Sequence, residues 1–377
     1  MLRVDALVDR ACSEAGTDDF GETSYREGLE VLVASLDGEA ALNQVGVAAL
    51  EAQITTNLVN RLRVTDWLAR HPSLLERPVE RPLIVLGMPR TGTTLLSYLL
   101  DRDGANRSLL RWEALASVPP PTTATLRTDP RVDAARAGQA MLDALNPEFA
   151  AIHYEAPDGP TECVALFSQD FKSLLWETIA NVPAYGTWLA GADFASAYAY
   201  HERVLQVLQS DAPGRWTLKS PAHCFGLDAL VARYPDARLV MTHRDPVAVV
   251  ASVCSLVRSL SGMFSDADHS AYIAAHWTDV VADAIERVRV FRERDGDGRF
   301  VDVRYDDLVA DPIAAIRRIY THFGDELADD AASAMAAYAQ ANPKGAHGRH
   351  VYSVGDLGLD PAALDARFAG YRAQFGV

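Results

Sequence analysis

The chain has 377 residues, 49 % hydrophobic and 23 % charged, and this globular balance excludes collagen-like, mucin-like and wholly disordered classes. Its 51 acidic against 35 basic residues leave a formal net charge of −16. A field of that sign repels phosphate backbones and anionic lipid, which argues against nucleic acid or a membrane surface as the main partner and leaves only local binding of a small anion.

The length allows two domains or one large domain with insertions. The opening MLRVDALVDRACSEAG carries charges where a signal peptide needs an apolar core, and no apolar run reaches the roughly 18 residues of a membrane span. Cys12, Cys163, Cys224 and Cys254 show no paired spacing, so neither disulfides nor a zinc site is expected. A cytoplasmic protein with reduced cysteines and no transmembrane segment follows as the expectation.

Residues 1–80 read as successive helices, with Leu50, Ile54, Leu58 and Leu62 at nearly helical spacing, and form an amino-terminal helical extension. The main unit spans 81–377. At Arg81 the texture changes to PLIVLG, a short apolar run between Pro82 and Gly87 of the kind that forms a strand buried on both faces of a parallel sheet. Helical and Pro-rich sequence at about 119–213 reads as an insertion placed to form the acceptor side of a cleft. RWTL (215–218), ARLVMT (237–242) and RFVDVR (299–304) are further strands, each followed by a helical pattern, so the fold class is α/β with a parallel sheet and helices on both faces. A glycine-rich tail precedes a last helix near 361–375.

The chemistry concentrates where strands end. After the first strand comes Gly87-Met88-Pro89-Arg90-Thr91-Gly92-Thr93-Thr94 and then an apolar helix start. A strand-to-helix turn aims successive backbone N–H groups and the helix dipole at one point, a site for phosphate. The glycine spacing matches the loop of nucleotide triphosphatases, but Thr93 stands where their lysine belongs and the cation, Arg90, lies inside the loop. After the third strand, Asp245 and Pro246 open a helix; Arg244 then stands at the sheet edge and Ser252 two turns on, a pair able to grip one phosphate. Lys219, one of only three lysines, ends the second strand and is placed to neutralise a leaving group, with His223 close behind as base or donor. A helix descending roughly 14 Å and an extended return of roughly 16 Å bring Glu113 back to the level of Arg90, where a carboxylate suits a general base. Glu162 and His153 are further polar groups of the insertion.

Together these motifs resemble the sulfotransferases that use 3′-phosphoadenosine 5′-phosphosulfate (PAPS), in their bacterial, arginine-type form. Pro89-Arg90-Thr91-Gly92-Thr93-Thr94 is similar to the PRSGTT signature of that family, and Arg244 with Ser252 matches the spacing of its 3′-phosphate pair. The resemblance implies a phosphate-loop sulfotransferase fold. It implies that Arg90, Thr91, Gly92, Thr93 and Thr94 hold the phosphosulfate, that Tyr305 contacts adenine, and that Lys344, Gly345 and Arg349 close over the 3′-phosphate. In the arginine-loop branches a Glu some twenty residues after the loop is the base; Glu113 follows Arg90 by 23, and His223 is the runner-up. The expected activity is sulfuryl transfer, without a metal, to a hydroxyl, or less readily an amine, of a small molecule, lipid or saccharide. A Mg²⁺-dependent phosphate-loop kinase and a non-catalytic nucleotide-binding module are the alternatives.

Overall fold

The computed structural model describes residues 2–147, 155–343 and 355–377. Five parallel strands, β1 (Leu83–Gly87), β2 (Asn106–Ser108), β3 (Arg215–Lys219), β4 (Arg238–His243) and β5 (Phe300–Arg304), lie in the order β2-β3-β1-β4-β5. β1 is central, with Leu83 opposite Thr217 of β3 and Arg238 of β4. The four strands read from the sequence are all present; β2, only three residues long, escapes a search for apolar runs.

The strands are buried on both faces, and their side chains alternate between two cores as a pleat requires. Ile84, Leu86, Leu218, Leu239 and Met241 point into the larger core, whereas Leu83, Val85, Val240, Val301 and Val303 point into the smaller. The smaller core is covered by α4 (Thr93–Leu100) and by the helices Pro312–His322 and Asp329–Ala341.

The larger core is covered by the amino-terminal helices α1 (Val4–Ala15), α2 (Tyr25–Glu39) and α3 (Gln44–Arg70) together with the insertion. Extension and insertion therefore share one core: Leu29, Leu32 and Leu58 pack in the same cluster as Phe167, Trp176 and Tyr198. A buried ion pair locks the two. Arg61 of α3 meets Asp170 at 3.0 Å and stacks over the rings of Tyr25 and Tyr200, while Asn60 donates to Gln169 at 2.8 Å.

Candidate functional site

β1 is flanked on both sides, so the chain leaves the sheet in opposite directions at its carboxyl end, the topological switch point where open α/β sheets bind ligands. The loop there is locked by its backbone. Gly87 has φ +143°, and a Cβ on it would lie 2.4 Å from Thr242 Oγ1 and 2.7 Å from the Thr242 carbonyl, so only glycine lets β1 turn so close to β4. Gly92, also left-handed, caps α4 with Tyr305 and Leu308 packed against it. Arg90 itself holds φ +68°, a strained conformation of the kind found at ligand clamps.

A cavity of about 970 Å³ opens over this loop. Pro89, Arg90, Gly92, Thr93 and Thr94 form its floor, and Arg244 and Tyr305 one side. Arg90 Nε donates to Ser252 Oγ at 3.1 Å, and Arg244 Nη1 donates to the Arg90 carbonyl at 2.8 Å. The Arg244 guanidinium lies 4.5 Å above the Tyr305 ring. Asp245 caps the following helix through Val247 N–H, as its sequence predicts. The predicted pair Arg244 and Ser252 thus meets the loop through Arg90. Thr91 differs from the other loop residues: its hydroxyl is buried between the Met88 carbonyl at 2.7 Å and Thr242 Oγ1 at 2.6 Å, where it braces the loop and does not line the cavity.

Lys219, at the end of β3, lies buried just behind the cavity wall. Its ammonium is buried, donating to Glu162 Oε1 at 2.9 Å and to Thr94 Oγ1 at 3.5 Å, with Glu155 at 3.9 Å. Glu155 and Glu162 both line the cavity. Glu162 is held there because the insertion runs back along the sheet: Thr161 N–H bonds the Leu109 carbonyl at 2.8 Å and Cys163 N–H the Lys219 carbonyl at 2.9 Å.

Neither predicted base lines the cavity. Glu113 returns to the sheet edge but turns inward at the third position of the short helix α5 (Arg111–Leu115), fully buried, with both carboxylate oxygens paired to Arg107 and one also accepting from Leu110 N–H. That makes it a helix cap and half of an internal ion pair. His223 follows Pro221 and Ala222, which do line the cavity, but its own ring is buried behind them, with Nδ1 2.7 Å from the Tyr198 hydroxyl. His153, Lys344, Gly345 and Arg349 lie outside the described residues. Among the described residues, no group of three or more His, Cys, Asp or Glu side chains is placed to hold a metal ion, and no helix is long and apolar enough to cross a membrane.

His223 belongs to a sealed aromatic cluster with His201, whose Nδ1 lies 2.7 Å from the Tyr234 hydroxyl; Phe167 packs against both histidines. Burial lowers both imidazoles, His201 to about 3. The folded protein keeps them neutral below pH 6.5 while the unfolded chain takes up protons, so they stabilise the fold above that pH and the contribution is lost as pH falls toward the folded value. From pH 7 to pH 5 His201 is expected to cost about 2 kcal/mol, and His223 acts in the same direction. Urea unfolding of His201→Asn should show a smaller drop over that interval than the parent protein; an equal drop would mean that His201 is not held neutral.

The site is an anion-binding turn at a parallel-sheet switch point, flanked by Arg90 and Arg244, backed by the buried Lys219 and lacking the lysine of nucleotide triphosphatases: a phosphate-loop group-transfer fold. A sequence model of the sulfotransferase family matches residues 82–329, well over half of the chain, and the chain belongs to that family. The crystal structure of sulfotransferase STF9 from Mycobacterium avium is 36 % identical, with a TM-score of 0.93 over all of this chain and 97 % of that one. Sulfotransferase STF1 from Mycobacterium tuberculosis is also 36 % identical, with a TM-score of 0.87 over 98 % of this chain and 99 % of that one. A curated relative, omega-hydroxy-beta-dihydromenaquinone-9 sulfotransferase Stf3 of Mycobacterium bovis, is 24 % identical over 255 residues. That match covers 64 % of this chain and 62 % of the relative, less than two thirds of its length.

Proposed function

We propose that this protein transfers a sulfuryl group from PAPS to an acceptor hydroxyl and releases 3′,5′-ADP. The observation that carries the reading is that Arg90 and Arg244 line one cavity over a loop with threonine at the nucleotide triphosphatase lysine position, while Lys219 lies buried behind the wall in contact with Thr94 and Glu162. The backbone of Gly92 with Thr93 and Thr94 holds the phosphosulfate on the amino terminus of α4. Arg244 and Ser252, already joined to Arg90, take the 3′-phosphate, and the Tyr305 ring flanks the adenine. Lys344, Gly345 and Arg349 remain proposed partners of that phosphate from the sequence resemblance.

The base in this reading is Glu162 and not Glu113 or His223, because a carboxylate open to the cavity can meet a substrate proton and a sealed group cannot. Glu162 accepts the proton of the acceptor hydroxyl as its oxygen attacks sulfur; the bond from sulfur to the bridging phosphate oxygen breaks in line. Arg90 and Lys219 stabilise the charge that collects on the departing phosphate, as in other phosphate-type transfers that rely on positioning and electrostatics. Lys219 spans donor and acceptor halves of the site, since it touches both Thr94 and Glu162.

Release of 3′,5′-ADP from PAPS, dependent on an added hydroxyl compound and unchanged by chelation of magnesium, is the expected result with purified protein. Magnesium-dependent phosphate transfer from ATP to the same compounds would replace this reading with the kinase.

A further inference from the structure

The cavity is far larger than the anion site, and away from the loop its wall changes character. Beyond Arg90 and the two glutamates it is built by α3, by α6 (Arg131–Leu145) and by the helices Leu175–Ile179 and Pro246–Ser261. α6 gives it Ala134, Gly138, Met141, Leu142 and Leu145, a spacing of 4, 7, 8 and 11 residues that places one apolar helix face along the cavity. Leu256, Leu260 and Phe264 answer it from the opposite wall.

Apolar side chains are also left open at this site. Of the seven large hydrophobic residues exposed among the described residues, four, Leu115, Met141, Leu145 and Val309, line this one cavity, and Met141 is 62 % exposed. Exposed apolar area gathered at one concave site marks a surface that an apolar ligand covers. A saccharide needs hydrogen-bonding partners along its length, whereas on the wall formed by α6 and the helix Pro246–Ser261 the polar side chain is Gln139, already bonded to Arg111 and Asp143.

From this we infer that the acceptor is an alcohol on a large aliphatic or prenyl skeleton, with its hydroxyl at Glu162 and its apolar body against α6 and the helix Pro246–Ser261. This rests on the sulfuryl-transfer reading of the same cavity and names its acceptor class. Gly138 is the telling residue. A Cβ built on it meets nothing within 4 Å, so a larger side chain placed there would project into open space on the cavity side.

The test is equilibrium binding of farnesol, phenol and glucose to the full chain saturated with 3′,5′-ADP, comparing the parent protein with Gly138→Phe. The parent is expected to bind farnesol at least tenfold more tightly than phenol or glucose. Gly138→Phe is expected to keep its melting temperature and its 3′,5′-ADP affinity while losing farnesol affinity at least tenfold, because the ring fills the cavity. Met141→Glu, at an exposed position, should give the same loss should the larger substitution disturb folding. Glucose or phenol binding as tightly as farnesol, or farnesol binding that survives both substitutions, overturns the inference. If 3′,5′-ADP does not bind, the donor reading fails; if it binds and farnesol is not preferred, only the acceptor class fails.

Discussion

Arg90→Ala is expected to lower kcat by about 10² or more, the usual cost of removing one charge-stabilising donor from a preorganised site. Arg90 is the cation inside the anion loop, lines the cavity, and is steadied by Ser252 and Arg244. Its left-handed backbone adds no penalty to the substitution, since alanine carries the same Cβ at the same φ. The variant should therefore unfold at nearly the parent's urea concentration while turnover falls, and KM for PAPS should change less than kcat. Near-normal turnover would remove Arg90 from the mechanism.

The second large effect separates two glutamates by the quantity that each controls. Glu162→Gln is expected to lower kcat by about 10² to 10⁴, the span usual for loss of a general base. Glu113→Gln is expected to leave the chemistry intact and to cost stability, about 3 kcal/mol, because it leaves the Arg107 guanidinium buried without its charge partner. Urea unfolding and single-turnover transfer on the two variants read both effects. A Glu113→Gln enzyme of normal stability and lost turnover would restore Glu113 as the base and displace Glu162.

That exchange of roles shows what the sequence does and does not encode. β1, its loop and α4 are legible because a buried apolar strand, two constrained glycines and an apolar helix start are local signals. Arg244 and Asp245 follow from a cap and a proline at one helix terminus. Glu113 was placed by counting rise along a helix and a return strand, which gives its level on the sheet but not the side to which its carboxylate turns. Only the packing of Arg107 over Trp216 decides that. The Thr91 hydroxyl is lost to the site in the same way, through its bond to Thr242 on β4, 151 residues along the chain.

Glu162 left a fainter trace. Lysine is so scarce here that a lysine ending a buried strand demands a carboxylate partner, and HYEAPDGPTEC was the polar stretch able to supply one. Nothing local showed that the insertion returns to pair its backbone with Leu109 and Lys219. The apolar wall was harder still, because it is assembled from the amino-terminal extension, the insertion and the helix after β4, three stretches distant in sequence.

The donor is the central claim, and calorimetric titration of the purified protein with 3′,5′-ADP, ADP and ATP, each with and without magnesium, tests it most directly. The account predicts that 3′,5′-ADP binds at least tenfold more tightly than ADP, because Arg244 and Ser252 meet the 3′-phosphate, and that magnesium leaves its affinity unchanged. Magnesium-dependent binding of ATP, with no binding of 3′,5′-ADP, would contradict it.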